Sequence, residues 1–254
     1  MIETGSVETR NEQGVGYITF YHPQSNSLPG VLLRKLAEEI TAMGKDDAVK
    51  VIVLQSQGEK AFCAGASFDE LIKIDTLEKG KTFFSGFAQV INAMRKTPKF
   101  VIAKVQGKAV GGGVGLACAA DYTLAHESAA VKLSELAVGI GPFVVGPAVE
   151  RKIGTSAFCQ LTINATEWQS AQWAKEKGLY TDVFQNMDEL NAAVSALTQK
   201  LAHSNPEAMA LLKKIMWEGT EGWDTLLVER AEMSGKLVIS EFTVNAINKF
   251  KAKA

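Results

Sequence analysis

The chain has 254 residues, 46% of them hydrophobic, with 22 glycines and 6 prolines, a composition that supports a large buried core and argues against disorder. A formal net charge of −1 gives no general pull toward nucleic acid or an anionic membrane, so neither is expected as a partner. Cys63, Cys118 and Cys159 lie far apart without a CxxC pair, which disfavours disulfides and zinc and points to a reducing, cytoplasmic compartment.

In chain order, the first five residues lack the basic and apolar regions of an export signal, and no apolar run approaches membrane-spanning length. Val15 to Tyr21 alternates and is β-rich, which predicts a strand. His22 to Gly30 is a loop by its turn residues. Leu32, Leu33, Leu36, Ile40 and Met43 recur at helical spacing over Val31 to Met43. Val49 to Gln55 reads as a buried strand, followed by a polar loop over Ser56 to Lys60. Helices are expected at Phe68 to Ile74 and from Leu77 to Thr97, where Pro98 ends the second. A central strand spans Phe100 to Val105, with further strands at Asp121 to Ala125 and Ala130 to Leu133. After Pro142 helical patterns dominate: Val144 to Ile153, Thr155 to Leu161, Ser170 to Lys177, Asp188 to His203, Pro206 to Trp217 and Thr225 to the end. The alternation points to an α/β (α+β) core over residues 1–195, followed by a packed helical region over 196–254.

Two glycine segments and one carboxylate stand out. Phe62 to Leu71 follows a strand and loop, Gly111 to Gly115 follows the central strand, and Ser134-Glu135 follows a third strand. Glycines at a helix start let backbone N–H groups and the positive dipole end approach a ligand, which is how a developing oxyanion is held. The run fails as a dinucleotide fingerprint, because the third small residue would fall on Leu116 or Cys118, and no Gly-Lys-Ser/Thr makes it a P-loop.

These residues resemble the crotonase (enoyl-CoA hydratase/isomerase) superfamily. The matching features run in family order: Asn-Ser-Leu at 26–28, Glu-Lys-Ala-Phe-Cys-Ala-Gly-Ala at 59–66, Pro98 with the strand to Val105, Ala-Val-Gly-Gly-Gly at 109–113, Asp121, and Ser-Glu with Gly-Ile-Gly-Pro at 134–142. The run Ala246 to Phe250 resembles the family's lysine-rich C-terminal helix. Each motif is weak alone; together they cover essentially the whole chain.

The resemblance implies a spiral of ββα units with C-terminal helices that build a homotrimer or a dimer of trimers. It implies that the N–H groups of Ala66 and Gly112 form an oxyanion hole for an acyl-CoA thioester, each donor worth about 3–4 kcal/mol. Glu135 matches the family's second acid/base glutamate, while Gly115 stands where the first would be. Gln24, Ser25 and Lys60 match positions lining the coenzyme A nucleotide, and Ala64, Gly115 and Phe143 would line the acyl site. No metal and no cofactor beyond the coenzyme A of the substrate is implied. The run Ser134 to Val145 is most similar to bacterial 3-methylglutaconyl-CoA hydratase-type members, so the expected reaction is hydration or dehydration of a short acyl-CoA, branched chains included. A 3,2-enoyl-CoA isomerase using Glu135 as single base, a decarboxylase and a weakly catalytic acyl-CoA-binding relative stay open. Leu133, Leu136, Val138 and Phe143 would form an apolar wall that raises the Glu135 pKa.

Cys63 reads as a buried packing residue, since no histidine motif accompanies it. Asp121 reads as structural, Trp168 and Trp173 as packing, and Lys60 equally as a loop lysine or a phosphate contact. Lys249, Lys251 and Lys253 read as a solvated tail that could help cover the nucleotide.

Overall fold

The computed structural model describes residues 5–251; residues 1–4, read for an export signal, and Lys253 lie outside them. The strands are β1 (Ser6–Glu12), β2 (Val15–Tyr21), β3 (Val51–Ser56), β4 (Ala61–Cys63), β5 (Val101–Val105), β6 (Lys108–Val110), β7 (Tyr122–His126), β8 (Val131–Lys132) and β9 (Asp182–Phe184). The helices are α1 (Gly30–Lys45), α2 (Phe68–Leu71), α3 (Leu77–Lys96), α4 (Gly112–Ala119), α5 (Gly146–Ile163), α6 (Ala171–Glu176), α7 (Met187–Ala202), α8 (Pro206–Met216), α9 (Trp223–Val238) and α10 (Glu241–Lys251). A single 3₁₀ turn covers Glu135–Val138.

The larger sheet runs β1-β2-β3-β5-β7-β9, antiparallel at the β1-β2 hairpin and parallel beyond it. The hairpin turns through Gln13 and Gly14, both at positive φ, a two-residue link suited to the strand twist. Successive β3 residues serve opposite faces. Ile52 and Leu54 join Leu36 and Ile40 of α1 and Val90 and Ile91 of α3, whereas Val51 and Val53 join Leu190 and Val194 of α7. Covered on both faces, β3 is continuously apolar, as parallel strands in layered folds are.

The smaller sheet, β4-β6-β8, is parallel with β6 in the middle. Its carboxyl ends therefore sit side by side, and the segments leaving them meet in space.

The expected strand at Val15 to Tyr21 and the helices at Val31 to Met43 and Leu77 to Thr97 are present within a few residues of their limits. Gly154, at φ 75° and ψ 160°, breaks α5 between the two helical runs expected on either side. The single expected last helix is two, α9 and α10, parted at Ile239 and Ser240. Position 195 lies inside α7, whose Leu190 and Val194, with Leu197 and Leu201, pack against the sheet.

Two features tie the later helices to the core. Asp121 Oδ2 accepts from the Val101 N–H at 2.7 Å and from Lys213 Nζ at 2.5 Å, and Asp121 Oδ1 accepts from the Trp217 indole at 2.8 Å. Both charged side chains are almost fully buried, so Asp121 is structural, joining β5 to α8. At the crossing of α3 and α9, a Cβ on Gly80 would stand 2.7 Å from the Gly235 Cα. Only backbones without side chains fit that close, and the contact carries Ser234 to the cavity described next.

Candidate active site

Segments leaving β4, β6 and β8 line one cavity of about 500 Å³ with Ala64 to Ala66, Val110 to Gly112, and Ser134-Glu135. That size suits a small-molecule site. Phe83, Phe84 and Phe87 of α3, Phe68 and Leu71 of α2, and Phe143 to Val145 supply an apolar lining, and Ser234 of α9 adds a polar point.

Leu28 fixes the first segment from both sides: its N–H donates to the Gly65 carbonyl at 2.8 Å, and its carbonyl accepts from the Ser67 N–H at 3.2 Å. The N–H of the intervening Ala66 has no acceptor among the described residues. Gly112 opens α4, where a first-turn N–H has no partner within the helix, and no other acceptor is found for it among the described residues. The loops are close: a Cβ on Gly65 would lie 3.5 Å from the Gly112 nitrogen. The structure thus brings two unclaimed donors, Ala66 and Gly112, to one wall.

Gly111 turns the chain from β6 into α4 at φ 53° and ψ −114°, a conformation L side chains rarely adopt. A Cβ there would stand 2.8 Å from Glu135 Oε1, which measures how near the glutamate lies to the helix start. The Gly111 N–H donates to the Lys132 carbonyl at 2.9 Å, locking the two loops together.

Glu135 begins the 3₁₀ turn, and its carbonyl accepts from Ile140 N–H at 3.0 Å. The residue keeps some exposure, yet its Oε2 is sealed from solvent and has no hydrogen-bond partner among the described residues. Burial raises the pKa from 4.5 to about 7, opposed by a hydrogen bond from the residue's own N–H. Of the expected apolar neighbours, Val138 and Phe143 line the cavity, Leu133 sits in the core and Leu136 is 50% exposed. Val144 and Val145 complete that wall.

Gly115 is not on the wall. A Cβ there would come within 2.5 Å of Val145 Cγ1, so Val145 fills the space in front of it. The expectation that Gly115 lines the acyl site is corrected: the volume in front of it is already occupied by a side chain from the start of α5. Glu135 is the single carboxylate on the wall among the described residues.

Gln24, Ser25 and Lys60 are exposed and line no part of the cavity. Ser25 adjoins its rim, since its carbonyl accepts from the Ala64 N–H at 3.1 Å. Gln24 Nε2 donates to Asp69 Oδ2 of α2 at 2.8 Å. Asn26 pins this loop: its Oδ1 accepts from the His22 N–H, and its Nδ2 donates to the carbonyls of Gln57 and Ala61, each at 2.8 Å. Cys63 is buried, and burial pushes its thiol up to about 12, as suits packing.

Sequence reasoning missed Lys132, the one cation on the wall among the described residues, and the polar Thr166. It also read Trp168 as packing; the ring is 41% exposed and flanked by Lys132 Nζ at 4.6 Å and Lys108 Nζ at 5.0 Å from its centroid. The available signal was a lysine in an apolar strand just before Ser134-Glu135.

Comparison with known proteins gives the family and the fold. The family model described as Enoyl-CoA hydratase/isomerase matches residues 10–247. A probable enoyl-CoA hydratase of Bacillus subtilis (strain 168) is 28% identical over 244 residues, 95% of this chain and 94% of that protein. A probable enoyl-CoA hydratase of Rhizobium meliloti (strain 1021) is 34% identical over 210 residues, 82% of this chain and 79% of that protein. The mitochondrial methylglutaconyl-CoA hydratase of Mus musculus is 33% identical over 200 residues; the match takes in 77% of this chain and 63% of that protein, under two thirds of its length. Among solved structures, an enoyl-CoA hydratase from Bacillus halodurans superposes with a TM-score of 0.88 at 22% identity, covering 96% of this chain and 99% of that one. The fold is therefore the crotonase fold, and the chain belongs to the enoyl-CoA hydratase/isomerase family. It is an enzyme of that family, and the relatives named as hydratases support the lyase side of it.

Proposed function

We propose that the enzyme adds water to a short 2-enoyl-CoA, branched 3-methylglutaconyl-like chains included, through an enolate whose oxygen is held by the N–H groups of Ala66 and Gly112. The observation that carries this reading is the sealed Glu135 carboxyl, with one oxygen unpartnered, beside two unclaimed donors. A carbonyl polarised by two N–H groups accepts negative charge as water adds at Cβ. Neutral Glu135 gives the proton of one oxygen to Cα while its other oxygen takes a proton from the attacking water. The carboxyl ends neutral, one water is added, and a single glutamate serves where two would otherwise share the work. The 3-methylglutaconyl-like preference draws its support from the relative of that name.

Proton donation needs the neutral form, so kcat/KM for hydration is expected to fall as pH rises through about 7. The direct test is mass spectrometry in heavy water with crotonyl-CoA, 3-methylglutaconyl-CoA, a 3-enoyl-CoA and a malonyl-type CoA. A product heavier by one water from a 2-enoyl-CoA supports the reading; loss of CO₂, or binding of all four without turnover, overturns it.

The single wall carboxylate favours a second reading, 3,2-enoyl-CoA isomerisation with Glu135 as the one base. That chemistry starts from the ionised form, so its rate would rise through the same pH, and the product would be isobaric apart from exchanged deuterium.

Exposed Leu211, Leu212, Ile215 and Met216 on α8, with Phe242 on α10, support a homotrimer or dimer of trimers. A monomer of about 27.4 kDa in light scattering would overturn that assembly. The three unpaired cysteines support a cytoplasmic location.

A further inference from the structure

We infer that His22 is the positioning residue of the Ala66 donor: with its Nδ1 unprotonated, it gathers the loop over residues 22–28 and through that loop holds the Ala66 N–H toward the thioester oxygen. The inference rests on the oxyanion reading above and deepens it, since His22 itself is no part of the cavity lining.

His22 follows β2 and is buried. Its Nδ1 accepts from the Gln24 N–H at 3.3 Å and faces the Ser27 hydroxyl at 3.2 Å. A backbone N–H can only donate, so Nδ1 carries a lone pair and the ring proton sits on Nε2. The His22 N–H donates to Asn26 Oδ1 at 2.9 Å, and the His22 carbonyl accepts from the Asn26 N–H at 3.0 Å. The loop closed in this way keeps Ser25 and Asn26 at φ 54° and 56°. Residues other than glycine hold such left-handed conformations only where their surroundings fix them.

The loop in turn holds the segment that leaves β4. The Ser25 carbonyl takes the Ala64 N–H, the Leu28 N–H donates to the Gly65 carbonyl, and the Leu28 carbonyl takes the Ser67 N–H. The Gly65 N–H is spent on Cys63 Sγ at 3.4 Å. From Ala64 to Ser67, only the Ala66 N–H is therefore left without an acceptor among the described residues. Its direction is set by three bonds to a loop whose hub is one imidazole nitrogen.

The surroundings of the ring decide when that nitrogen is free. Ahead of β1, a Cβ on Gly5 would stand 3.0 Å from His22 Cδ2 and 2.8 Å from Leu32 Cδ1, so this segment and α1 present apolar groups there. The charged groups that face the ring are Asp69 and Glu70 of α2. Burial lowers the imidazole below its ordinary 6.5, and the two carboxylates oppose this without reversing it. Protonation would set a hydrogen on Nδ1 against the Gln24 N–H and open the loop. Activity is thus expected to be present above the His22 titration and to fall as pH drops through it, opposite to the limb that Glu135 gives on the alkaline side.

A chromophoric thioester reads the donor without turnover. In 4-dimethylaminocinnamoyl-CoA the amino group pushes electrons toward the carbonyl, so absorption moves to longer wavelength when N–H groups hold the oxygen. Spectra are taken with protein in excess, so that the probe stays bound, and in Glu135→Gln, which removes the other titration beside the oxygen. A red shift is expected at about pH 8 and should be largely lost at about pH 5 while circular dichroism shows the fold intact. Adding His22→Asn, whose Oδ1 replaces Nδ1 as an acceptor that does not titrate, should keep the red shift at both pH values. Adding His22→Leu should remove most of it at both, and with Glu135 restored kcat should fall by roughly 10²-fold. A red shift unchanged by acid, or retained in His22→Leu, would overturn the inference. The acid arm needs no change at His22 and decides the matter should His22→Leu fail to fold. Absence of any red shift at either pH would overturn the Ala66 and Gly112 donors and the inference with them. Failure of the hydration reading is a separate result: the acid-sensitive red shift persists while no enoyl-CoA gains water.

Discussion

Replacing Glu135 by glutamine should raise stability and lower activity together, and the stability gain should depend on pH. Burial lifts the carboxyl from 4.5 to about 7, which at about 1.36 kcal/mol per tenfold change corresponds to about 3 kcal/mol. Below 4.5 the group is neutral in the folded and the unfolded chain and contributes no difference. Between 4.5 and about 7 the unfolded chain ionises first, so folding stability is progressively lost, and above that the loss is complete. Glu135→Gln removes the titration. The variant should be more stable than wild type by up to about 3 kcal/mol near pH 9, with most of the gain gone near pH 5. Urea unfolding at both pH values, at one fixed protein concentration, reads the difference. In the same variant turnover of the preferred enoyl-CoA should fall by roughly 10²- to 10⁴-fold, the usual worth of general acid–base catalysis. A gain of equal size at both pH values would refute the buried, neutral carboxyl. Retained turnover would refute its role as the proton carrier.

Other perturbations probe the surrounding frame. Gly112→Ala sets a methyl 2.2 Å from the Phe87 ring; thermal unfolding should show a cost of about 1–3 kcal/mol, and kcat should fall by roughly 10²- to 10³-fold as the donor is displaced. Gly115→Glu should destabilise by a similar amount of about 1–3 kcal/mol and add no activity, because Val145 fills its space. The double variant with Val145→Ala should recover part of the stability, and a rise in activity or unchanged stability from Gly115→Glu alone would contradict this packing. Asp121→Asn leaves Lys213 buried without its counter-charge and should cost about 3–5 kcal/mol in urea unfolding, with no shift in the pH profile of turnover.

The sequence made the long elements legible where one physical signal was strong. Leu32, Leu36, Ile40 and Met43 mark a helix face that is in fact buried in α1. The strands β4 and β6 carry three residues each, too few for a period, and exist because the small parallel sheet pairs them. β1 escaped notice because it is polar apart from Val7, as an edge strand with one covered position can be. The donors and the acid/base residue were readable because glycines and a carboxylate at loop starts are local features. What stands in front of Gly115 was not readable, since Val145 reaches it from the beginning of α5, 30 positions later in the chain. Lys132 and Trp168 were missed for the same reason: their contact is made by the Val131–Gln169 bridge, which no local pattern announces.

The crossing of Gly80 and Gly235 has a consequence for the order in which the enzyme comes into being. Ala66, Gly112 and Glu135 are all in place once the first two sheets have formed, but the wall bearing Ser234 arrives only with α9. During synthesis the reactive end of the site therefore exists before its enclosure does. A nascent chain halted before α9 would hold that end of the site without the wall that bears Ser234. The chain beyond α8 thus supplies the enclosure, and through Leu227 and Ala231 part of the main core, rather than the donors or the acid/base residue.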